Sequence, residues 1–154
     1  STTTRSTLFN INMEHTRAHM LRAVYEGIAY NLRWIMENYE RDYGFDCNDF
    51  RIIGGGALND PWMEIIADIT GKSFSVPKDP RNSGAVGAAV VALIGLGELS
   101  GFEAVKEFVE ADRHFKPNPD NKKIYDELFD DYKNVYNSLK SAYDKANGKR
   151  FQGI

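Results

Sequence analysis

The sequence predicts an α/β domain rich in helix, and three observations predict it. Two long stretches, one from Glu14 and one from Pro119, repeat apolar residues at spacings of three and four, the mark of amphipathic helices. Between them, residues 50–77 read as strand, glycine turn, helix and strand, a βαβ unit of about 30 residues. Residues 83–96 are rich in Ala, Gly and Val and apolar nearly all round, as in a buried helix.

The elements follow in order. Residues 1–12 are Ser/Thr-rich and end in Leu8-Phe9-Asn10-Ile11-Asn12, a short strand or a loop feeding a helix. A helix is expected from Glu14, capped near Asn12 or Met13. Its face is Met20, Leu21, Val24, Ile28, Leu32, Ile35, Met36 and Tyr39, and Gly44 ends it. Phe50-Arg51-Ile52-Ile53 is β-prone and breaks on Gly54-Gly55-Gly56. A second helix spans Trp62–Ile69, with Asp60 as N-cap, Pro61 at its first position and Gly71 as its stop. Ser73–Pro77 reads as a strand. Phe102–Val109 reads as a short helix and His114–Pro119 as a loop. The last helix takes Asn118 as cap and presents Ile124, Leu128, Tyr132, Val135, Tyr136 and Leu139. Lys140, Lys145, Lys149 and Arg150 sit toward its C-terminal end, and the tail 151–154 is expected to fray.

The composition narrows the function classes. A chain of 154 residues is one domain, 1–154, able to bury its own core without a disulfide or metal staple. Cys47 is the only cysteine, which excludes a disulfide scaffold and a multi-thiolate zinc site. A net charge of −3 gives no global attraction to nucleic acid or anionic lipid. The longest apolar run, residues 85–96, falls short of the roughly 20 residues of a membrane span. One unpaired thiol and no apolar leader point to a cytoplasmic setting.

The glycine turn holds the chemistry. Without Cβ atoms, backbone can pass close to a ligand, and the helix that follows aims free N–H groups at the same place. A phosphate or a nucleotide sugar fits such a site, and so does a tight turn with no ligand. A P-loop is excluded, because Leu58-Asn59-Asp60 stands where Gly-Lys-Ser/Thr is required. A Rossmann fingerprint is half matched. Gly54 and Gly56 fit, Asn59 replaces the third glycine, and Asp79 is roughly placed for a ribose, so an NAD-binding piece stays open.

The wider pattern resembles one family. Gly54-Gly55-Gly56-Ala57, Asn59, Trp62, Glu64 and Ala67-Asp68-Ile69-Thr70-Gly71 resemble the C-terminal signature of the FGGY carbohydrate kinases. His15-Thr16-Arg17-Ala18-His19, Arg22-Ala23-Val24 and Glu26-Gly27-Ile28-Ala29 resemble that family's long helix. Gly84-Ala85-Val86-Gly87-Ala88-Ala89 and Phe115-Lys116-Pro117 extend the likeness, which covers about residues 7–140 in order. Within the family it is most similar to the xylulose kinases.

The resemblance implies a ribonuclease H-like, actin-like ATPase fold, here part of a C-terminal lobe. It implies an ATP-dependent kinase of a sugar hydroxyl, on a ketopentose such as xylulose. The backbone of Gly55, Gly56 and Ala57 would approach the ribose and nearest phosphate, and Asn59 the adenine. Trp62 would touch ligand or simply pack, and Asp68 would order its local turn. Against the family pattern, the DxGT phosphate motif, the catalytic aspartate and the C-terminal lobe's phosphate hairpin are all missing. No catalytic residue is therefore expected here, and Mg is expected only in the full-length enzyme.

The start at Ser1 is read as a cut, the missing N-terminal lobe as a partner, and the chain alone as inactive. An incomplete lobe could also form a homodimer through its uncovered surface. A stand-alone nucleotide-binding module is the alternative. His15 and His19 lack a third ligand, Cys47 lacks an activating neighbour, and Asp130-Asp131 read as solvated, so none is taken as a site.

Overall fold

The computed structural model describes residues 3–44 and 47–148. Its elements are α1 (Arg17–Tyr43), β1 (Asp49–Arg51), α2 (Asp60–Thr70), β2 (Ser73–Pro77), α3 (Ser83–Gly95), α4 (Val105–Phe108), β3 (Ala111–Phe115) and α5 (Lys122–Asn147). Short 3₁₀ turns cover Gly55–Leu58, Phe102–Ala104 and Pro119–Asn121. Lys149, Arg150 and the tail 151–154 lie outside the described residues.

The expected βαβ unit is present. β1 runs parallel to β2, with Phe50 opposite Phe74, and α2 is the crossover. The sheet gains a third strand that was not expected, over Ala111–Phe115, and its last two residues fall in the loop expected at His114–Pro119. β3 pairs antiparallel with β2, Phe115 facing Phe74 and Arg113 facing Val76. Along β3 the residues alternate half-buried and exposed, as a strand on one sheet face must. Arg113 occupies an inward position, which hides that alternation in the sequence.

Helix α2 is the centre of the core. Its Met63, Ile65, Ile66, Ala67 and Ile69 are buried, packed with Phe74 and Val76 of the sheet, Ala29 and Tyr30 of α1, and Tyr125 and Phe129 of α5. An aromatic row joins α1 to α5. Tyr30 stacks on Phe129 with centroids 6.0 Å apart, and Trp34 meets Tyr136 edge-on at 5.2 Å. Arg33 ties α1 to two other elements there. It pairs with Asp126 of α5 at 2.8 Å, donates to the Ile69 carbonyl at the end of α2 (3.2 Å), and lies 4.3 Å over the Phe129 ring.

The helix faces differ from the periodic expectation. Of the predicted α1 stripe only Leu32 and Met36 pack against the core, whereas Met20, Leu21, Val24, Ile28, Ile35 and Tyr39 are 38–55% exposed. The buried side is Tyr25, Ala29, Tyr30 and Trp34. On α5, Tyr125 and Phe129 point inward, and Ile124 and Leu128 are exposed. Both helices carry two apolar faces, and this chain covers one of each. α3 departs further: only Val90 is buried, and Val91 is exposed. It packs mainly on α4 and the 3₁₀ turn before it. An apolar circumference marks a helix made to be covered, and these residues alone do not cover it.

The helix ends correct two expectations. α1 begins at Arg17 rather than Glu14. The Asn12 side chain accepts from the Glu14 N–H at 3.0 Å and holds that segment in a turn, so capping passes to Thr16. His19 Nδ1 accepts the Thr16 N–H at 3.1 Å, and His15 Nδ1 accepts the Asn12 N–H at 2.9 Å. The paired histidines therefore order the helix entry. α2 is capped by Asn59, not Asp60, which becomes its first residue. The left-handed stops at Gly44 and Gly71 stand as expected.

Candidate functional site

The glycine turn sits between β1 and α2. Gly54 has φ +97°, a conformation that glycine alone adopts freely, and its N–H donates to the Pro80 carbonyl at 2.7 Å. That bond ties the turn to the loop after β2. Inside the turn, the Ala57 N–H reaches the Gly54 carbonyl at 3.2 Å and the Asn59 N–H reaches the Gly56 carbonyl at 3.1 Å. Gly55 and Gly56 are exposed and Ala57 is buried beneath them.

The two exposed glycines are not equivalent. A Cβ on Gly55 would meet nothing within 4 Å, whereas one on Gly56 would lie 2.7 Å from Cζ3 of Trp62. Gly55 offers backbone to open space, and Gly56 makes room for an indole underneath. Trp62 stacks on Tyr25 of α1 with centroids 5.3 Å apart, and its Nε1 donates to the Tyr25 carbonyl at 3.3 Å. Through these contacts Trp62 packs beneath the turn.

Asn59 is held from both sides. Its Oδ1 accepts the Trp62 N–H at 3.2 Å, and its Nδ2 donates to the Tyr25 hydroxyl at 3.1 Å. Asp68 lies at the far end of α2. Its carboxylate accepts from the Asn118 N–H and the Asn121 Nδ2, both at 2.7 Å, so it orders the start of α5 rather than its own turn. Asp79 accepts from the Asn82 side chain at 2.7 Å and organises the entry to α3.

Two participants were not foreseen. Tyr25 joins α1 to the turn, and Arg113 joins β3 to it. The Arg113 Nη2 donates to the Ala57 carbonyl at 3.0 Å, and its Nη1 pairs with Asp60. Tyr25 falls on the buried side of α1, which a single-stripe reading misses. Nothing in the sequence marks Arg113, since its strand was not recognised.

The turn lies on open surface. Clefts of about 340 and 420 Å³ lie elsewhere, at one end of the sheet and between residues 7–11, α1 and α5. Among the described residues no group of three or more His, Cys, Asp or Glu side chains converges as a metal site. No described helix is long and apolar enough to cross a membrane.

A parallel βαβ unit, a glycine turn at its first crossover and two long flanking helices define part of a sugar kinase's actin-like C-terminal lobe. The chain belongs to the FGGY family of carbohydrate kinases, whose C-terminal domain matches residues 1–96. It is 34% identical over 137 residues to the xylulose kinase of Bacillus subtilis, covering 88% of this chain and 27% of that protein. Among solved structures, the xylulose kinase of Rhodospirillum rubrum superposes with a TM-score of 0.77 at 31% identity, over 89% of this chain and 28% of that one. The glycerol kinase of Plasmodium falciparum, solved with ADP, gives 0.72 at 28% identity over 88% and 27%. The chain thus spans about a quarter of the length of these relatives. A Rossmann oxidoreductase piece is excluded by this membership, and β3, antiparallel beside β2, accords with it.

Proposed function

We propose that this chain is the adenosine-holding part of an ATP-dependent carbohydrate kinase. The observation that carries the reading is the exposed Gly55 backbone, open above and braced below. A Cβ-free surface of that kind admits a ribose or phosphate against the main chain. The backbone of Gly55, Gly56 and Ala57 approaches the ribose and nearest phosphate, with Gly55 and Gly56 as the exposed part and Ala57, its N–H bonded to the Gly54 carbonyl, as the buried support beneath them. Asn59 lies next to the adenine. Its amide is already engaged with Tyr25 and Trp62, so its part is to set the pocket wall more than to donate freely. A related kinase solved with ADP supports this choice of ligand.

Mg-ATP supplies the γ-phosphoryl group, which the intact enzyme moves to a sugar hydroxyl. The residues of this chain bind and orient the nucleoside end. Positioning and charge stabilisation from the rest of the enzyme complete the transfer. The chain alone is inactive on this reading, because no residue of the sequence matches the family's catalytic aspartate or its DxGT phosphate motif, and among the described residues no acidic cluster converges as a Mg site. The missing lobe is its partner, and the exposed stripe of α1 together with α3 supports an apolar cover of that kind. The substrate is a ketopentose such as xylulose, on the strength of the relatives quoted above; others are named gluconokinase and glycerol kinase. The setting is the cytoplasm.

Calorimetric titration with a non-hydrolysable ATP analogue and with NAD tests the nucleotide. Saturable binding of the ATP analogue alone is expected, and binding of NAD in its place would overturn the reading. Assay of the full-length protein against xylulose, gluconate and glycerol tests the substrate, with the highest kcat/KM expected for xylulose.

A further inference from the structure

We propose that Arg113 is the positioning residue of the glycine turn. The inference rests on the nucleotide reading above for its consequence, though not for its geometry.

Arg113 projects from β3 opposite Val76, on the sheet face that carries Phe115. Its side chain is 26% exposed, and its guanidinium carbon lies 6.0 Å from the centroid of the Phe115 ring. One nitrogen holds the Ala57 carbonyl at 3.0 Å and another holds the Asp60 carboxylate. Asp112 lies 3.9 Å from the third. A single planar cation thus spans the end of the turn and the first residue of α2.

The turn needs such a brace. Gly54, Gly55 and Gly56 in a row give the backbone more freedom than any other triplet would. Its N-terminal end is tied by the Gly54–Pro80 bond. Its C-terminal end is tied to the sheet by Arg113. The same pair also balances charge. Asp60 is an acid in the first turn of α2, beside the place where an anionic ligand would approach, and Arg113 neutralises it. Only a guanidinium serves both partners, because its donors lie in a fixed fork, whereas an ammonium is a point donor.

The test compares Arg113→Ala and Arg113→Lys in the chain as it stands, by hydrogen exchange of the backbone and by titration with the ATP analogue. In R113A, exchange of the Ala57 and Asn59 N–H groups, which are hydrogen-bonded within the turn, is expected to rise at least tenfold while Ala29–Trp34 keeps its protection. ATP-analogue affinity should fall about tenfold. R113K should recover part of both, since it retains the Asp60 pair and loses the Ala57 bond. Unchanged exchange at Ala57 and Asn59 in R113A would overturn the proposal. A uniform rise along the whole chain in both variants would also overturn it, making Arg113 an ordinary stability contact. If the unsubstituted chain binds no nucleotide, the nucleotide reading fails, and the exchange data still decide the brace.

Discussion

Gly56 and Trp62 are in a contact that leaves no room for a methyl group: a Cβ at position 56 would stand 2.7 Å from the indole. The sequence suggested that a side chain there would block a ligand. In the structure it would first strike the protein. Gly56→Ala should cost about 1–3 kcal/mol of stability by overpacking. Gly55→Ala, whose new methyl meets open space, should leave stability nearly unchanged and weaken nucleotide binding instead. Urea unfolding and calorimetric titration of both variants separate the two effects. Equal loss of stability in both would contradict the assignment.

Asn59 caps α2 and holds Tyr25. Asn59→Ala should cost about 1 kcal/mol, the usual worth of an N-cap. Asn59→Asp keeps the capping oxygen and loses the Nδ2 donor, so its cost should be smaller. Equilibrium unfolding checks the order of the two.

Acid should weaken the α1–α5 packing. The Lys122 ammonium, and with it the Arg33 guanidinium, holds the Asp126 carboxyl below its ordinary range against the opposing effect of burial. A carboxylate with a lowered folded pKa adds stability above its unfolded pKa, about 3.9, and loses it as pH falls through the folded value. Unfolding free energy should therefore decline below about pH 4, and Asp126→Asn should flatten that decline. The side chain is 37% exposed, so 1 M salt should shrink the difference by screening. A pH profile of stability with and without the substitution measures it.

The bare stripe of α1 gives a contrast between contexts. Ile35 is 55% exposed, so Ile35→Gln should shift the stability of this chain by less than about 0.5 kcal/mol. In the full-length protein the same change should cost several times more, because the proposed cover would bury a polar amide. Thermal unfolding of the two proteins compares them. A small effect in both would leave the stripe uncovered.

Much of this was legible in the residues. Gly44 and Gly71 announced their helix ends, and the β–turn–α–β order of 50–77 followed from the glycines and from Pro61. Which face of α1 and α5 turns inward was not legible. Each helix carries apolar residues on two sides, and periodicity measures the sum of them. β3 escaped because its middle inward residue is an arginine, so no apolar alternation survives. Within the site, the glycines stood out by type. The duties of Asn59, Trp62 and Arg113 depend on contacts from Tyr25 and β3, which lie 34 to 56 positions away along the chain.

The sheet order leaves β1 and β3 both as edges among the described residues. An open edge is a template for other strands, and aggregation often starts there. β1 is a poor template. It has only three residues, and Asp49 and Arg51 flank Phe50 with opposite charges. Association of this chain with itself would then find little to grip at the β1 margin, and much more on the bare flanks of α1 and α3. For anyone expressing it alone, solubility is a question of helix surface, and polar substitutions at Ile28 or Val91 are the place to begin.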